Sequence, residues 1–299
     1  MQANVSIAAP RRDPLAYLLL VAVGFLIALM LPLARIAMEA GMSAMAYAFW
    51  QALGGGALLW LWSRPTHGRL PAGSYRYFLV SGLTAIAIPN AVAFLVVAQV
   101  GSGLTSTLYA LPSLITYALS VMIRLDRVSV LRLTGLLLGV LGCLRILVPD
   151  SNGISVDALP WMLFGLLVPL SLAIGNVYRT VAWPVGAGAR ELAPGMLLSG
   201  ALLLGVVLMA SGRAGDVLVS GWEVAPVLVA QAVLSALAYL GFFELQRRSS
   251  PVFLSQIGFV IAPAGLLLGY LFFGERFGLE IWLGVGVLMA GVLLANWKP

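Results

Sequence analysis

Leu15-Ala-Tyr-Leu-Leu-Leu-Val-Ala-Val-Gly-Phe-Leu-Ile-Ala-Leu-Met-Leu-Pro-Leu33 runs for nineteen residues without a charge. At about 1.5 Å rise per residue, a helix of this length crosses a hydrocarbon core of ~30 Å. Runs of the same kind recur along the chain, broken by charges, Gly and Pro. With the first they make ten, near 15–36, 43–63, 75–98, 102–123, 129–148, 158–182, 191–211, 224–246, 251–273 and 278–297. The loops between them are too short to hold a soluble domain. Of 299 residues, 61% are hydrophobic and 9% charged, against about 25% charged in soluble domains. The runs are continuous, not ~10-residue alternating segments, so an outer-membrane barrel is excluded. The expected fold class is all-α integral membrane, with ten transmembrane helices.

The charges test the span count independently. With a cytoplasmic N-terminus, thirteen of the seventeen basic residues fall on inside segments and only Arg35, Arg145, Arg213 and Arg276 outside, as the positive-inside rule requires. Both termini are then cytoplasmic and the chain belongs in a cell inner membrane. Arg179 counts among the inside charges in this scheme. Arg11-Arg12 before the first run resembles a twin-arginine signal, but the run is too long for a signal core and no small-residue cleavage site follows cleanly. The net charge of +6 reflects this topology, and no nucleic-acid partner is expected from arginines scattered over short loops. A single cysteine, Cys143, and a single histidine, His67, leave no disulfide framework and no Cys/His metal cluster.

The chain also repeats at an offset of 149 residues. Arg124-Leu-Asp126-Arg127-Val with Gly135 and Gly142 aligns with Phe273-Gly-Glu275-Arg276-Phe with Gly284 and Gly291. Five spans per half means the second copy is inserted upside down. The expected organisation is therefore a first five-helix repeat over 1–148, a linker at 149–157 and a second, inverted repeat over 158–299. Inverted repeats place a substrate site near the midplane between the halves and permit alternating access.

The short acidic-Arg loop followed by a Gly-rich helix at the end of each half resembles the EamA-type repeat of the drug/metabolite transporter superfamily. The preceding helix, Ser250-Pro251-Val252 to Gly269-Tyr-Leu-Phe-Phe-Gly-Glu275-Arg276, is similar as well. Tyr109-Ala-Leu-Pro112-Ser113-Leu114 resembles the fourth helix of aromatic amino acid exporters. The resemblance implies a ten-helix transporter of small metabolites, often outward, in bacterial inner membranes. One departure is Gln51, where many members of that family carry a basic residue, and it weakens an anionic-substrate reading.

Polar groups inside hydrocarbon should face a cavity or a neighbouring helix. Thr105, Tyr109, Ser113, Thr116 and Ser120 advance by helical steps and share one face of span four, which reads as a cavity wall. The alternative is local bonding of each hydroxyl to its own helix backbone or to a neighbouring helix. Gln231, Ser235 and Tyr239 make a similar stripe on span eight, and Tyr239 is the repeat counterpart of Asn90. Trp50, Gln51, Ser171, Asn176, Tyr178, Ser255 and Gln256 are further candidates for the lining. Asn176 and Tyr178 lie about 200° apart on a helix and cannot both face it, whereas Ser171 and Tyr178 can. Pro89, Pro112 and Pro263 are intramembrane prolines expected to bend spans three, four and nine and to gate the cavity. Gly135-Leu-Leu-Leu-Gly139 and Gly265-Leu-Leu-Leu-Gly269 read as close-packing faces.

No acid sits near a span centre, and Glu244 has Arg247 and Arg248 one turn away, the spacing of a surface ion pair. Proton coupling therefore lacks a relay, and facilitated diffusion or exchange is expected. No buried cation is expected to hold a free phosphate. The cargo reads as a small neutral or zwitterionic molecule, with amino acids foremost and export as the direction. A proton-coupled drug or metabolite exporter and a flippase for a lipid-linked small molecule are the alternatives. An intramembrane enzyme lacks its chemistry, since the one Lys is next to last and the one His lies in a loop. The expected partners are a small-molecule substrate and the lipid bilayer, with no cofactor, and the chain acts as a monomer or homodimer.

Overall fold

A computed structural model describes residues 13–63, 74–147, 156–218 and 223–296. His67, Lys298, most of the expected linker at 149–157 and both extreme termini lie outside the described residues. Within them the chain is helical and contains no strand. The helices form ten segments: α1 (Pro14–Glu39), α2 (Ala44–Trp62), α3 (Ser74–Val100), α4 (Ser102–Met122), α5 (Val130–Leu147), α6 (Leu159–Val181), α7 (Ala189–Ala210), α8 (Ala225–Arg248), α9 (Pro251–Phe273) and α10 (Leu279–Asn296). Each overlays one apolar run read from the sequence. Seven of them, all but α2, α5 and α10, are long and apolar enough to cross a membrane. In α2 the apolarity is diluted by Tyr47, Trp50, Gln51 and three consecutive glycines.

Outward faces carry Leu18, Val21, Leu202, Val206, Leu271 and Phe272, all exposed. Such a surface would drive association in water, whereas lipid tails solvate it without cost. The molecule is a multi-pass membrane protein.

Local chemistry sets the helix ends. The Asp13 carboxylate accepts from the Leu15 N–H at 3.0 Å, and Pro14 at the first helical position has no N–H to leave unpaired. Ser43 and Ser250 cap α2 and α9 in the same way. At Gly188 the Glu191 carboxylate reaches back to the backbone N–H at 2.9 Å. Gly101 (φ +88°) ends α3 and Gly274 (φ +62°) ends α9, each in a conformation that costs other residues more.

Three helices are not regular throughout. In α3 a π-helical turn covers Leu83–Ala87, with the Ile88 N–H bonded back to the Leu83 carbonyl. The next bond of that register would come from residue 89, which is proline and has no N–H. The carbonyl so freed, that of Thr84, accepts from the Ser171 hydroxyl of α6 at 2.9 Å. Helix α4 tightens to a 3₁₀ turn at Leu108–Ala110 just before Pro112, and α9 is interrupted at Gln256.

Packing between helices depends on glycines, as expected where lipid offers no hydrophobic drive. Helices α5 and α10 pack extensively on each other. Gly142 lies against the Gly284 carbonyl and Leu288 backbone, and Gly291 lies against the Gly135 carbonyl and Gly139 backbone. Subtracting 149 turns one contact into the other. The same exchange relates α1 on α8 to α6 on α3, α1 on α9 to α6 on α4, and α2 on α8 to α7 on α3.

Candidate functional site

Where the irregular helices meet there is a cavity of about 60 Å³ lined by residues of α1, α2, α3, α4, α6, α8 and α9. Its polar lining consists of Gln51, Asn90, Tyr109, Asn176, Tyr239 and Ser255, set among Ile27, Met30, Phe94, Phe242 and Ile261. Asn90 and Tyr239, repeat counterparts, lie side by side. Tyr109 and Gly258, also 149 apart, touch where α4 crosses α9. The Gln51 amide donates to the Met30 sulfur at 3.4 Å. Its Oε1 and the Asn90 Nδ2 have no partner among the described residues. One free acceptor and one free donor therefore face a space that is small in this conformation.

The structure brings Gln51, Asn90, Tyr109, Pro112 and Tyr239 together at this cavity. It places the other candidates elsewhere. Trp50 turns away, its indole N–H donating to the Val217 carbonyl at 2.9 Å. The Ser113 hydroxyl donates to the Ala110 carbonyl of its own helix at 3.0 Å. Ser235 is buried at the α2–α8 contact against Gly55. Tyr178 stacks on Tyr77, with ring centroids 6.1 Å apart, and its hydroxyl donates to the Arg76 carbonyl at 3.4 Å. Pro89 is buried behind the wall as the residue that opens the π turn. Pro263 sits inside a continuous helix, Ile257–Phe273, and the break in α9 falls seven residues earlier.

The stripe on α4 does not line a wall, because only Tyr109 of its five residues reaches the cavity. The 3₁₀ turn changes the helical phase at that residue, and Thr105 and Ser113 bond to their own backbone. On α8, likewise, Tyr239 lines the space while Gln231 and Ser235 are buried between helices. Of Asn176 and Tyr178, which cannot share a face, Asn176 lines the cavity and Tyr178 does not, while the Ser171 hydroxyl donates to the Thr84 carbonyl.

A second correction concerns charge. Arg179, counted as a loop arginine, is completely buried at 0% exposure. Its Nε donates to Gln246 Oε1 at 3.1 Å and its Nη2 to Asn176 Oδ1 at 2.6 Å. The guanidinium lies 5.1 Å from the centroid of Phe242. A buried cation does stand beside the cavity. Glu244 does not approach it and is held by Arg247 and Arg248 at 2.6–2.9 Å.

One end of the bundle is latched by Glu275. Its Oε1 accepts from Arg35 Nη1 at 2.5 Å and the Ser102 N–H at 3.0 Å, and its Oε2 accepts from the Gly103 N–H at 2.9 Å. A carboxylate thus sits on the positive end of α4 and ties it to α1 and α9. At the other end the counterpart Asp126 pairs with Arg132 at 2.6 Å and leaves the start of α9 to its own Ser250 cap.

The described residues thus form a polytopic helical bundle with a polar cavity where residues 149 positions apart meet. Residues 14–148 match the EamA-like transporter family. A WAT1-related chloroplastic protein of Arabidopsis thaliana is 29% identical over 185 residues, covering 58% of this chain and 43% of its own length. The matched region thus spans less than half of that relative. A solved crystal structure shares the fold with a TM-score of 0.65 at 15% identity, covering 93% of this chain and 98% of the other. The first half of the chain is thus similar to the EamA-like transporter family, and the likeness in fold extends over nearly the whole chain.

Proposed function

We propose that this transporter moves small zwitterionic metabolites, amino acids foremost, by alternating access between two inverted five-helix repeats, 1–148 and 158–299. It sits in a cell inner membrane with both termini cytoplasmic, works as a facilitator or exchanger, and runs as an exporter. The observation that carries this reading is the cavity itself. It lies where repeat counterparts Asn90 and Tyr239 adjoin and where two interrupted helices cross at Tyr109 and Gly258. Its lining offers a free amide acceptor and a free amide donor within aromatic and aliphatic walls, a match for a solute with both amino and carboxylate groups.

The unequal ends support alternating access. Glu275 closes one end while its counterpart Asp126 is engaged elsewhere, so two equivalent sequences sit in two different arrangements. Rocking would exchange these roles. No acid lines the cavity, which favours exchange over proton coupling.

The test is counterflow of radiolabelled aromatic, branched and small amino acids in proteoliposomes, with and without a proton gradient. Saturable counterflow of one class without a gradient is the expected result. Uptake only under a gradient overturns the facilitator, and silence across the panel overturns the amino acid cargo.

A further inference from the structure

Arginine keeps its charge at any physiological pH, and a buried cation without a counterion is costly. Arg179 is in that position. Its partners, Gln246 and Asn176, are neutral carboxamides, and its Nη1 has no acceptor among the described residues. Across on α8 the acid Glu244 is engaged by Arg247 and Arg248. The Nη1 end turns back along α6 towards Gly175 and Thr84. A side chain at Gly175 would occupy that space. Two of the groups that hold the guanidinium, Asn176 and Phe242, also line the cavity, so the cation stands directly behind its wall.

We propose that Arg179 is an anion subsite of the transport cavity and takes the carboxylate of the cargo. The carboxylate displaces the Asn176 carboxamide oxygen from Nη2 and satisfies Nη1, giving the two parallel N–H···O bonds that a guanidinium fork favours. Asn176 acts as a neutral stand-in that keeps Nη2 satisfied when the cavity is empty. One guanidinium balances one negative charge, so a single carboxylate fits the site and a phosphate dianion leaves a charge unmatched. The free Asn90 and Gln51 amide atoms remain available for the rest of the solute.

The cargo's being transported rests on the preceding reading, but the subsite can be tested by binding alone. The probe is propionate against propionamide, at matched ionic strength, with the purified full chain in detergent and its thermal unfolding midpoint as the readout. Propionate should raise the midpoint saturably and propionamide should not. Arg179→Gln should weaken the propionate response at least about tenfold, and Asn176→Ala should keep or strengthen it. If Arg179→Gln does not fold, Arg179→Lys retains the charge without the fork and should bind propionate in weakened form. Equal response to acid and amide overturns the subsite, as does an unresponsive wild type, full-strength binding by Arg179→Gln, or loss of binding in Asn176→Ala. Propionate binding that depends on Arg179 with no amino acid counterflow sinks the transport reading and leaves the subsite standing. Equal counterflow of amino acids and their amides, undiminished in Arg179→Gln, does the reverse.

Discussion

The carbonyl oxygen of Tyr109 lies against the Cα of Gly258, its repeat counterpart 149 positions on. Both residues sit at the interruption of their helix, the 3₁₀ turn of α4 and the break after Gln256 in α9. The backbones can approach this closely because position 258 has no Cβ. Gly258→Ala puts a methyl onto a backbone oxygen that cannot rotate away. Overpacking of this kind costs about 1–3 kcal/mol or more. The variant should unfold at lower temperature and lose transport, which thermal melts of detergent-purified protein alongside counterflow would reveal. Unchanged melting would contradict the contact.

The glycine contacts of α5 and α10 predict a matched pair of effects. Gly142→Leu and Gly291→Leu each meet backbone on the partner helix, and the two contacts are related by the 149-residue exchange. Their destabilisations should agree to within about 1 kcal/mol, an allowance for context. A large cost at one position and none at the other, in paired unfolding measurements, would argue against a repeat-related interface.

Glu275 accepts from four donors on Arg35, Ser102 and Gly103, and its side chain is only 12% exposed. Glu275→Gln keeps the shape and removes the charge that the start of α4 and Arg35 both favour. A hydrogen bond to a charged group contributes about 1.5–3 kcal/mol, and the loss of one such increment is expected. The latch should open more often, so a cysteine placed at Ser106 should react faster with a water-soluble maleimide. An unaltered labelling rate would count against a gating role.

Asn90→Ala should raise the substrate concentration for half-maximal counterflow roughly tenfold, the equivalent of one hydrogen bond of about 1.4 kcal/mol. Folding should be nearly unaffected, since Asn90 Nδ2 has no partner to lose. Trp50→Phe is the opposite case. It breaks the bond to Val217, costs about 1 kcal/mol of stability, and should leave transport kinetics unchanged. Inverted results in the two variants, by kinetics and thermal melts, would reassign both residues.

The ten apolar runs and the repeat were readable along the chain because the bilayer imposes a length and a composition on every span. The correspondence of Asn90 with Tyr239, which adjoin at the cavity, was readable from the repeat. Ser113, Ser235, Trp50 and Tyr178 were not separable from them, because helical angle says which residues share a face and not what that face meets. A single 3₁₀ turn at Leu108–Ala110 was enough to void the stripe reading on α4. Pro263 misled for a related reason, since a proline removes one hydrogen bond but does not oblige a packed helix to break there.

Arg179 marks the boundary most clearly. Along the chain it is an arginine near a helix end, where such side chains usually reach for water. A signal was present in Gly175 one turn earlier and Asn176 three residues earlier, which leave room and a partner for a side chain turned inward. Gln246, sixty-seven residues away, completes the site, and no local pattern announces it. The sequence by itself determined the membrane solvent, the number of helical segments and the 149-residue repeat, because these follow from hydropathy and length. Only the tertiary structure decided which polar groups face the cavity and which cation lies behind it, because those depend on how helices distant in the chain cross.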